Sequence, residues 1–175
     1  KDNLGMDDWT EALLYAASRR EHINKTIKPA LERGDIILCD RYLDSSLAYQ
    51  GKARNLGIDN VYAMNEYATN GLLPDLTLLV CVRPEIGLDR IGKNRGEKDR
   101  LELETIEFHN KVYDGYLEVL EKYPNRIVKI DGEKTPQEVE IERPKQMGLA
   151  TINNIFTKST STGIGIYISH ISRWK

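Results

Sequence analysis

Residues 75–82 read Asp-Leu-Thr-Leu-Leu-Val-Cys-Val, a nearly continuous apolar run with no alternation of polar and apolar positions. A strand with one wet face would alternate, so this one is expected to be buried on both faces, as in a parallel sheet covered by helices. Two further strand-like runs, residues 36–39 and 126–130, are separated from it by helical segments. Strands alternating with helices in this way imply an α/β protein built on a parallel sheet.

The helical segments carry their own punctuation. Asp7 and Asp8 before Trp9-Thr10-Glu11 offer an N-cap and an acidic first turn, so a helix is expected from near Asp7 through His22. Ile23, Ile27 and Leu31 prolong an apolar stripe at spacing four past Pro29, which should kink that helix or start a second one, with Gly34 closing it. Asp59 is a candidate cap for a helix to Asn70, with Val61, Met64 and Ala68 on one face and Gly71 at its end. Pro84 starts a short helix to about Asn94. A long amphipathic helix is expected from near Glu102 to Tyr123, with Ile106, Val112, Tyr116 and Val119 facing inward.

Thr135-Pro136-Gln137-Glu138 is a helix start, but Pro144 cuts the helix off within two turns. From Arg143 to Lys175 there are five basic residues and no acidic ones, which leaves −7 for residues 1–142 out of a net charge of −2. This break divides the chain into a main domain, residues 1–142, and an atypical basic tail, residues 143–175. The tail has no helical period and is expected to be a non-native or poorly ordered appendage. A short edge strand at the alternating run 164–168 is the competing reading, and a basic binding tail a third.

Composition excludes some classes of function. With 40% hydrophobic and 30% charged residues the chain is an ordinary globular protein rather than a disordered one. A net charge of −2 argues against general affinity for nucleic acid or membranes, so phosphates would be handled by locally placed Arg and Lys. There is neither a signal peptide nor an apolar stretch of about 18 residues, which points to the cytoplasm. Cys39 and Cys81 lie in apolar runs and are expected to be buried, reduced thiols. His22, His109 and His170 show no metal-ligand spacing. The chain opens at Lys1 rather than Met, so a start inside a longer gene product is expected.

Chemistry is expected where the 36–39 strand ends in Asp40-Arg41-Tyr42, followed by Asp44, Ser45, Ser46, Tyr49 and Gln50. Ligands of open α/β sheets bind beyond the carboxyl ends of the strands. Phosphoryl transfer needs positioned positive charge, and the fork of Arg41 can hold a phosphate oxygen pair where Lys would act as a point charge. Asp40 could order Mg²⁺ and its waters, anchor Arg41, or simply pair with it. Glu11, Tyr15 and Arg19 fall at successive i+4 positions on one helix face. A ring beside a guanidinium can stack on a planar base and hydrogen-bond its carbonyl edge; a half-buried Tyr and a surface Arg are the alternative. Lys93, Arg95, Lys98 and Arg100 around Gly96 have the composition of a mobile lid, residues 93–102, or of a solvated loop. No GxxxxGK[ST] loop occurs anywhere in the sequence.

Three segments together resemble bacterial thymidylate kinase: Tyr15-Ala16-Ala17-Ser18-Arg19, residues 40–51 beginning Asp40-Arg41-Tyr42, and Arg95-Gly96-Glu97-Lys98-Asp99-Arg100-Leu101-Glu102. Leu72-Leu73-Pro74-Asp75-Leu76-Thr77 and Phe108-His109 with Val112 and Tyr116 fit the same family, and the resemblance runs from about Lys1 to Val139. It implies a P-loop kinase-like fold and phosphorylation of dTMP to dTDP with ATP and Mg²⁺ by a cytoplasmic homodimer. It further implies that Tyr15 stacks on thymine, Arg19 donates to its exocyclic oxygen, Ser46 and Gln50 contact the base, and Ser45 lies among the substrate contacts. Tyr49 would pack on the sugar and disfavour a 2′-hydroxyl, Arg41 would hold the dTMP phosphate, and Arg95 and Arg100 would close over ATP.

Against the family pattern, the first strand and the phosphate-binding loop are missing from the sequence. The chain is therefore expected to be an incomplete copy, with two strand edges left unpaired and no dTMP-dependent turnover of its own. The alternatives are a related deoxynucleoside kinase, or a non-catalytic remnant that binds nucleotide or dimerises.

Overall fold

In the computed structural model of the chain, residues 5–94, 104–135, 138 and 164–170 are described. Among them, β1 (Ile36–Asp40), β2 (Leu76–Cys81), β3 (Ile127–Asp131) and β4 (Ile164–His170) form one sheet in the order β1-β4-β2-β3. Every pairing is parallel. The helices are α1 (Asp8–His22), α2 (Lys28–Glu32), α3 (Leu43–Ser46), α4 (Ile58–Thr69), α5 (Pro84–Asn94) and α6 (Ile106–Lys122). This is the α/β arrangement expected from the alternation of strands and helices.

Local chemistry sets the element boundaries. Asp7 caps α1, its carboxylate accepting the Thr10 backbone N–H at 2.9 Å. The turn before Pro29 widens into a π-helical stretch, Ile23–Ile27, in which the Lys28 N–H reaches back five residues to the Ile23 carbonyl. Proline lacks an N–H and its ring crowds the preceding turn, and the wider turn absorbs both while Ile23 and Ile27 stay fully buried. Gly57, not Asp59, occupies the cap of α4. Its φ of +88° suits glycine, and Asp59 instead lies in the first turn, paired with Lys122. Thr105 caps α6 by accepting the Phe108 N–H at 3.3 Å, so this helix starts later than the expected Glu102. Thr135 and Glu138 form a reciprocal capping box, with Thr135 N–H donating to Glu138 Oε2 at 2.9 Å.

The two faces of the sheet bury separate cores. Ile37, Cys39, Leu79, Cys81 and Ile127 pack with Ile23, Ile27, Leu43, Leu47, Val61, Phe108, Val112, Tyr116 and Val119. Leu76, Leu78 and Ile130, with Val80 and Val128, form the second cluster. Both sets of β2 side chains are therefore covered, as its unbroken apolar sequence required. Buried α6 positions Phe108, Val112, Gly115, Tyr116 and Val119 line one helical stripe. β1 is less covered than expected, with Leu38 68% and Ile36 52% exposed among the described residues, and Cys39 is half-buried rather than buried. Strand periodicity explains this: Ile37 and Cys39 face the first core, and Ile36 and Leu38 face the other way.

The largest departure from expectation is β4. Residues 164–170 form neither a dangling tail nor an edge strand, but lie between β1 and β2 with Leu38 opposite Ile166 on one side and Leu76 opposite Ile166 on the other. The two edges expected to be unpaired are thus paired, because the alternating run has the length and β-branched character to fill a parallel slot. The rest of the 143–175 tail, and most of the expected lid at 93–102, lie outside the described residues.

Close approach between α6 and residues 47–53 depends on Gly115. A Cβ there would come within 2.8 Å of Lys52 Cβ and 3.0 Å of Ala48 Cα. Gly115→Ala is expected to destabilise the fold by about 1–3 kcal/mol, overpacking outweighing the gain in helix propensity. Urea unfolding of the two proteins measures this, and an alanine variant as stable as the parent would contradict the contact.

Candidate functional site

Beyond the carboxyl end of β1 the backbone turns sharply, with Arg41 in the left-handed region at φ +65°. Such a conformation costs a non-glycine residue of order 1 kcal/mol and is found where neighbouring contacts over-determine it. Those contacts follow at once. Arg41 Nε donates to Ser45 Oγ at 3.3 Å, its guanidinium carbon lies 4.4 Å from the Tyr49 ring centroid, and Ser45 Oγ and Tyr116 Oη are 2.8 Å apart. Burial opposes the Arg41 charge, but Tyr116, Tyr49, Tyr15 and Asp40 around it outweigh burial and hold its pKa above the ordinary value. Burial also pushes up the Tyr116 phenol, keeping it a neutral partner for Ser45.

After α3 the chain runs through a second π-helical stretch, Leu47–Ala53. Its wide turn is visible in the Arg54 N–H, which reaches back five residues to the Tyr49 carbonyl at 3.0 Å. Tyr49 and Gln50 both lie in it and both are buried. π-Helical turns inside α-helices concentrate at functional sites, where they re-aim side chains.

α1 lies against this segment in the opposite sense. At one end Arg19 donates to Ser46 Oγ at 2.9 Å, to the Tyr42 carbonyl at 3.2 Å and to Asn65 Oδ1. At the other, Gln50 Nε2 donates to Glu11 Oε1 at 2.9 Å. Tyr15, midway between them on the same helix face, is 43% exposed. Arg19 and Glu11 are thus about 12 Å apart along α1, from the rise of an α-helix, with Tyr15 between. Burial lowers the Arg19 pKa, and Tyr42, Cys39 and Asp44 oppose that shift.

Of the residues singled out in the sequence, Arg41 contacts both Ser45 and Tyr49, Arg19 and Ser46 form a second contact pair, and Gln50 lies against Glu11. Arg95 and Arg100 lie outside the described residues. Asp40 is exposed at the β1 terminus. Among the described residues no cluster of three His, Cys, Asp or Glu side chains could hold a metal. The exposed Asp40 carboxylate nevertheless fits Mg²⁺, which keeps several waters and usually takes one or two carboxylates plus substrate phosphates.

Three participants, Asn65, Tyr116 and Arg54, were not legible beforehand, and a fourth, Asp44, was singled out in the sequence without its partners. Asn65, fully buried on α4, holds Arg19. Tyr116 was read as an apolar helix position, although a buried Tyr hydroxyl needs a partner and finds Ser45. Asp44 is buried and receives Arg126 at 2.6 and 2.8 Å and Thr77 at 3.1 Å, which pins the start of α3 to β2 and the approach to β3. Arg54 lies between Asp8, Glu11 and Glu104, with its guanidinium carbon 4.6 Å from the Phe108 centroid. Cys81 is buried beside this region, and burial pushes its thiol up to about 11, away from the reactive thiolate.

The thymidylate kinase family profile matches residues 1–142. The chain is 54% identical over 140 residues to the thymidylate kinase of Clostridium novyi (strain NT), covering 79% of this chain and 68% of that one. It is 56% identical over 135 residues to the thymidylate kinase of Limosilactobacillus fermentum, with 77% and 63% of the two chains covered. In three dimensions it resembles the crystal structure of thymidylate kinase from Ehrlichia chaffeensis, with a TM-score of 0.63, 28% identity, and 84% and 68% of the chains covered. The match spans roughly two thirds of the length of each of these relatives. With Arg19, Arg41, Ser45 and Ser46 gathered past the end of a parallel strand inside the matched region, the chain belongs to the thymidylate kinase family.

Proposed function

We propose that the protein serves the transfer of a phosphoryl group from ATP to dTMP, giving dTDP for dTTP synthesis, and that residues 11–50 build the acceptor side. Residues 1–175 by themselves are still expected not to turn over, because they contain no GxxxxGK[ST] loop. The observation that carries this reading is the pair of fixed guanidiniums at Arg19 and Arg41. Arg19 spends three of its five N–H groups on Asn65, Tyr42 and Ser46, so an Nη1 proton and the Nε proton remain for a base carbonyl. Arg41 spends only its Nε proton on Ser45, which leaves both terminal nitrogens for the two oxygens of a phosphate. Tyr15 lies between α1's two anchored ends, partly exposed, where a planar base can stack.

Catalysis on this reading is positioning and charge. Arg41, held by Ser45 and Tyr49, orients the acceptor phosphate and neutralises it as bonding to the donor phosphorus loosens. Asp40 would hold Mg²⁺ through water, and the ion, when bound, supplies charge compensation between the phosphates. Arg95 and Arg100 would close over ATP. We assign the protein to the cytoplasm; no helix among the described residues is long and apolar enough to cross a membrane. Homodimerisation is part of the same proposal. Trp9 and Leu13 share one face of α1 and are 39% and 54% exposed, and Tyr67 on α4 is 92% exposed, apolar surface that a second copy could cover.

Calorimetric titration with dTMP and thymidine tests the acceptor site. The protein is expected to bind dTMP more tightly, and Arg41→Ala to remove that advantage, a loss of roughly a hundredfold in dTMP affinity with little change for thymidine. Arg19→Ala should weaken both ligands together. Thymidine binding at least as tightly as dTMP would favour a nucleoside acceptor instead, and equal dTMP binding by the parent and both variants would remove the arginines from the site.

A further inference from the structure

We infer that Glu11 is a positioning residue that sets base specificity from outside the pocket, by fixing which end of the Gln50 amide faces the nucleotide. This rests on the acceptor-site reading above and deepens it. A glutamine amide is ambiguous: it can present either its carbonyl oxygen or its NH₂ to a base. A carboxylate is not ambiguous, because it only accepts. Glu11 is 4% exposed and Gln50 3%, so neither turns freely into water, and Gln50 Nε2 lies 2.9 Å from Glu11 Oε1. With NH₂ committed to Glu11, the amide turns Oε1 the other way, as an acceptor.

The same Glu11 oxygen is 3.9 Å from Arg54 Nε, and Arg54 is itself held by Asp8 at 3.4 Å and Glu104 at 2.5 Å. Stacking of the Arg54 guanidinium on Phe108 completes a fixed mount behind Glu11. The orientation of the amide is therefore dictated by groups on α1, at the end of the π-helical stretch and just before α6, none of which needs to touch the nucleotide.

An acceptor at Gln50 and donors at Arg19, at opposite ends of the Tyr15 face, match one kind of pyrimidine edge. Thymine and uracil present a ring N–H donor flanked by carbonyl acceptors. Cytosine presents a ring-nitrogen acceptor beside an amino donor, so it would meet Gln50 Oε1 acceptor to acceptor and Arg19 donor to donor. Sites built to hydrogen-bond a specific donor reject analogues lacking it far more strongly than apolar pockets do, because buried polar groups are left unpaired.

The test titrates dTMP, dUMP and dCMP into the parent chain and into Glu11→Gln, Glu11→Asp and Gln50→Met. In Glu11→Gln the new amide can offer Gln50 either an oxygen or an NH₂, so the Gln50 amide is released to turn. The dTMP-to-dCMP affinity ratio is expected to fall by roughly tenfold or more, with dUMP moving alongside dTMP. Glu11→Asp keeps an acceptor-only carboxylate and should keep most of the discrimination. A folded Glu11→Gln protein with a ratio within about twofold of the parent would overturn the inference. If that variant does not fold, Gln50→Met decides: undiminished discrimination without the amide would overturn it equally. Failure of the parent to bind dTMP at all would instead refute the proposed acceptor site.

Discussion

Arg126→Met is expected to cost about 3–5 kcal/mol of stability, because it strands the Asp44 carboxylate in the interior. The side chain of Asp44 is 3% exposed and that of Arg126 13%, and the two meet in a bidentate pair at 2.6 and 2.8 Å with Thr77 accepting and donating between them. Burial opposes the Arg126 charge, and the hydrogen bond and charge of Asp44 outweigh it, so the Arg126 pKa lies above its ordinary value. Removing one partner leaves an uncompensated buried charge, which costs more than the pair itself contributes. Replacing both, as Asp44→Leu with Arg126→Met, should recover much of the loss. By contrast, removing the exposed pairs Lys52–Glu118 or Lys25–Glu21 should change stability by less than about 1 kcal/mol. Denaturant melts of the single and double variants measure both. A single variant within about 1 kcal/mol of the parent would show that the Asp44 site is hydrated rather than closed.

Ile166→Pro is expected to abolish cooperative unfolding. Ile166 lies at the centre of β4, opposite Leu38 of β1 and Leu76 of β2, so its backbone belongs to two ladders at once. Proline lacks the N–H, and in an interior strand it removes a ladder bond and forces the chain out of register. Among the described residues β1 has β4 as its only strand neighbour, so loosening β4 also frees the strand that carries Asp40 and Arg41. Circular dichroism melts and amide exchange at residues 36–40 give the readout. A proline variant that melts cooperatively at the parent temperature, with β1 amides still protected, would mean that β4 does not hold the sheet together.

These two effects show where sequence reasoning succeeded and where it could not. β2 was legible because a strand buried on both faces has an unmistakable composition, and α6 because Val112, Tyr116 and Val119 repeat at helical spacing, although Ile106, also expected to face inward, is only half-buried and Phe108 is buried instead. β4 was not, because alternation in a short run is compatible with an edge or an interior strand and nothing local says which strands it will meet. The π-helical turns at Ile23–Ile27 and Leu47–Ala53 use residues that suit an α-helix equally well, so only the hydrogen-bond shift distinguishes them. Arg19, Arg41, Ser45 and Ser46 were legible as chemistry at a strand end and on a facing helix. Their supports, Asn65, Tyr116 and Arg126, come from distant stretches of chain, and each reads alone as an ordinary helix or strand-flanking residue.

The pairing of Ile36 with Ile164 has a consequence for the order in which the molecule can form. Helices and their short connections can assemble as soon as they are synthesised, but β1 (Ile36–Asp40) gains its β4 partner only once residues 164–170, far downstream, have been made. Sheets closed by such distant segments fold slowly, since the entropy of closing the long loop is lost before any contact compensates it. Until residues 164–170 arrive, β1 and β2 present unpaired backbone N–H and C=O groups to any extended segment nearby. Crowding during synthesis, rather than the stability of the finished fold, then becomes the main hazard, and aggregation of newly made chains its outward sign.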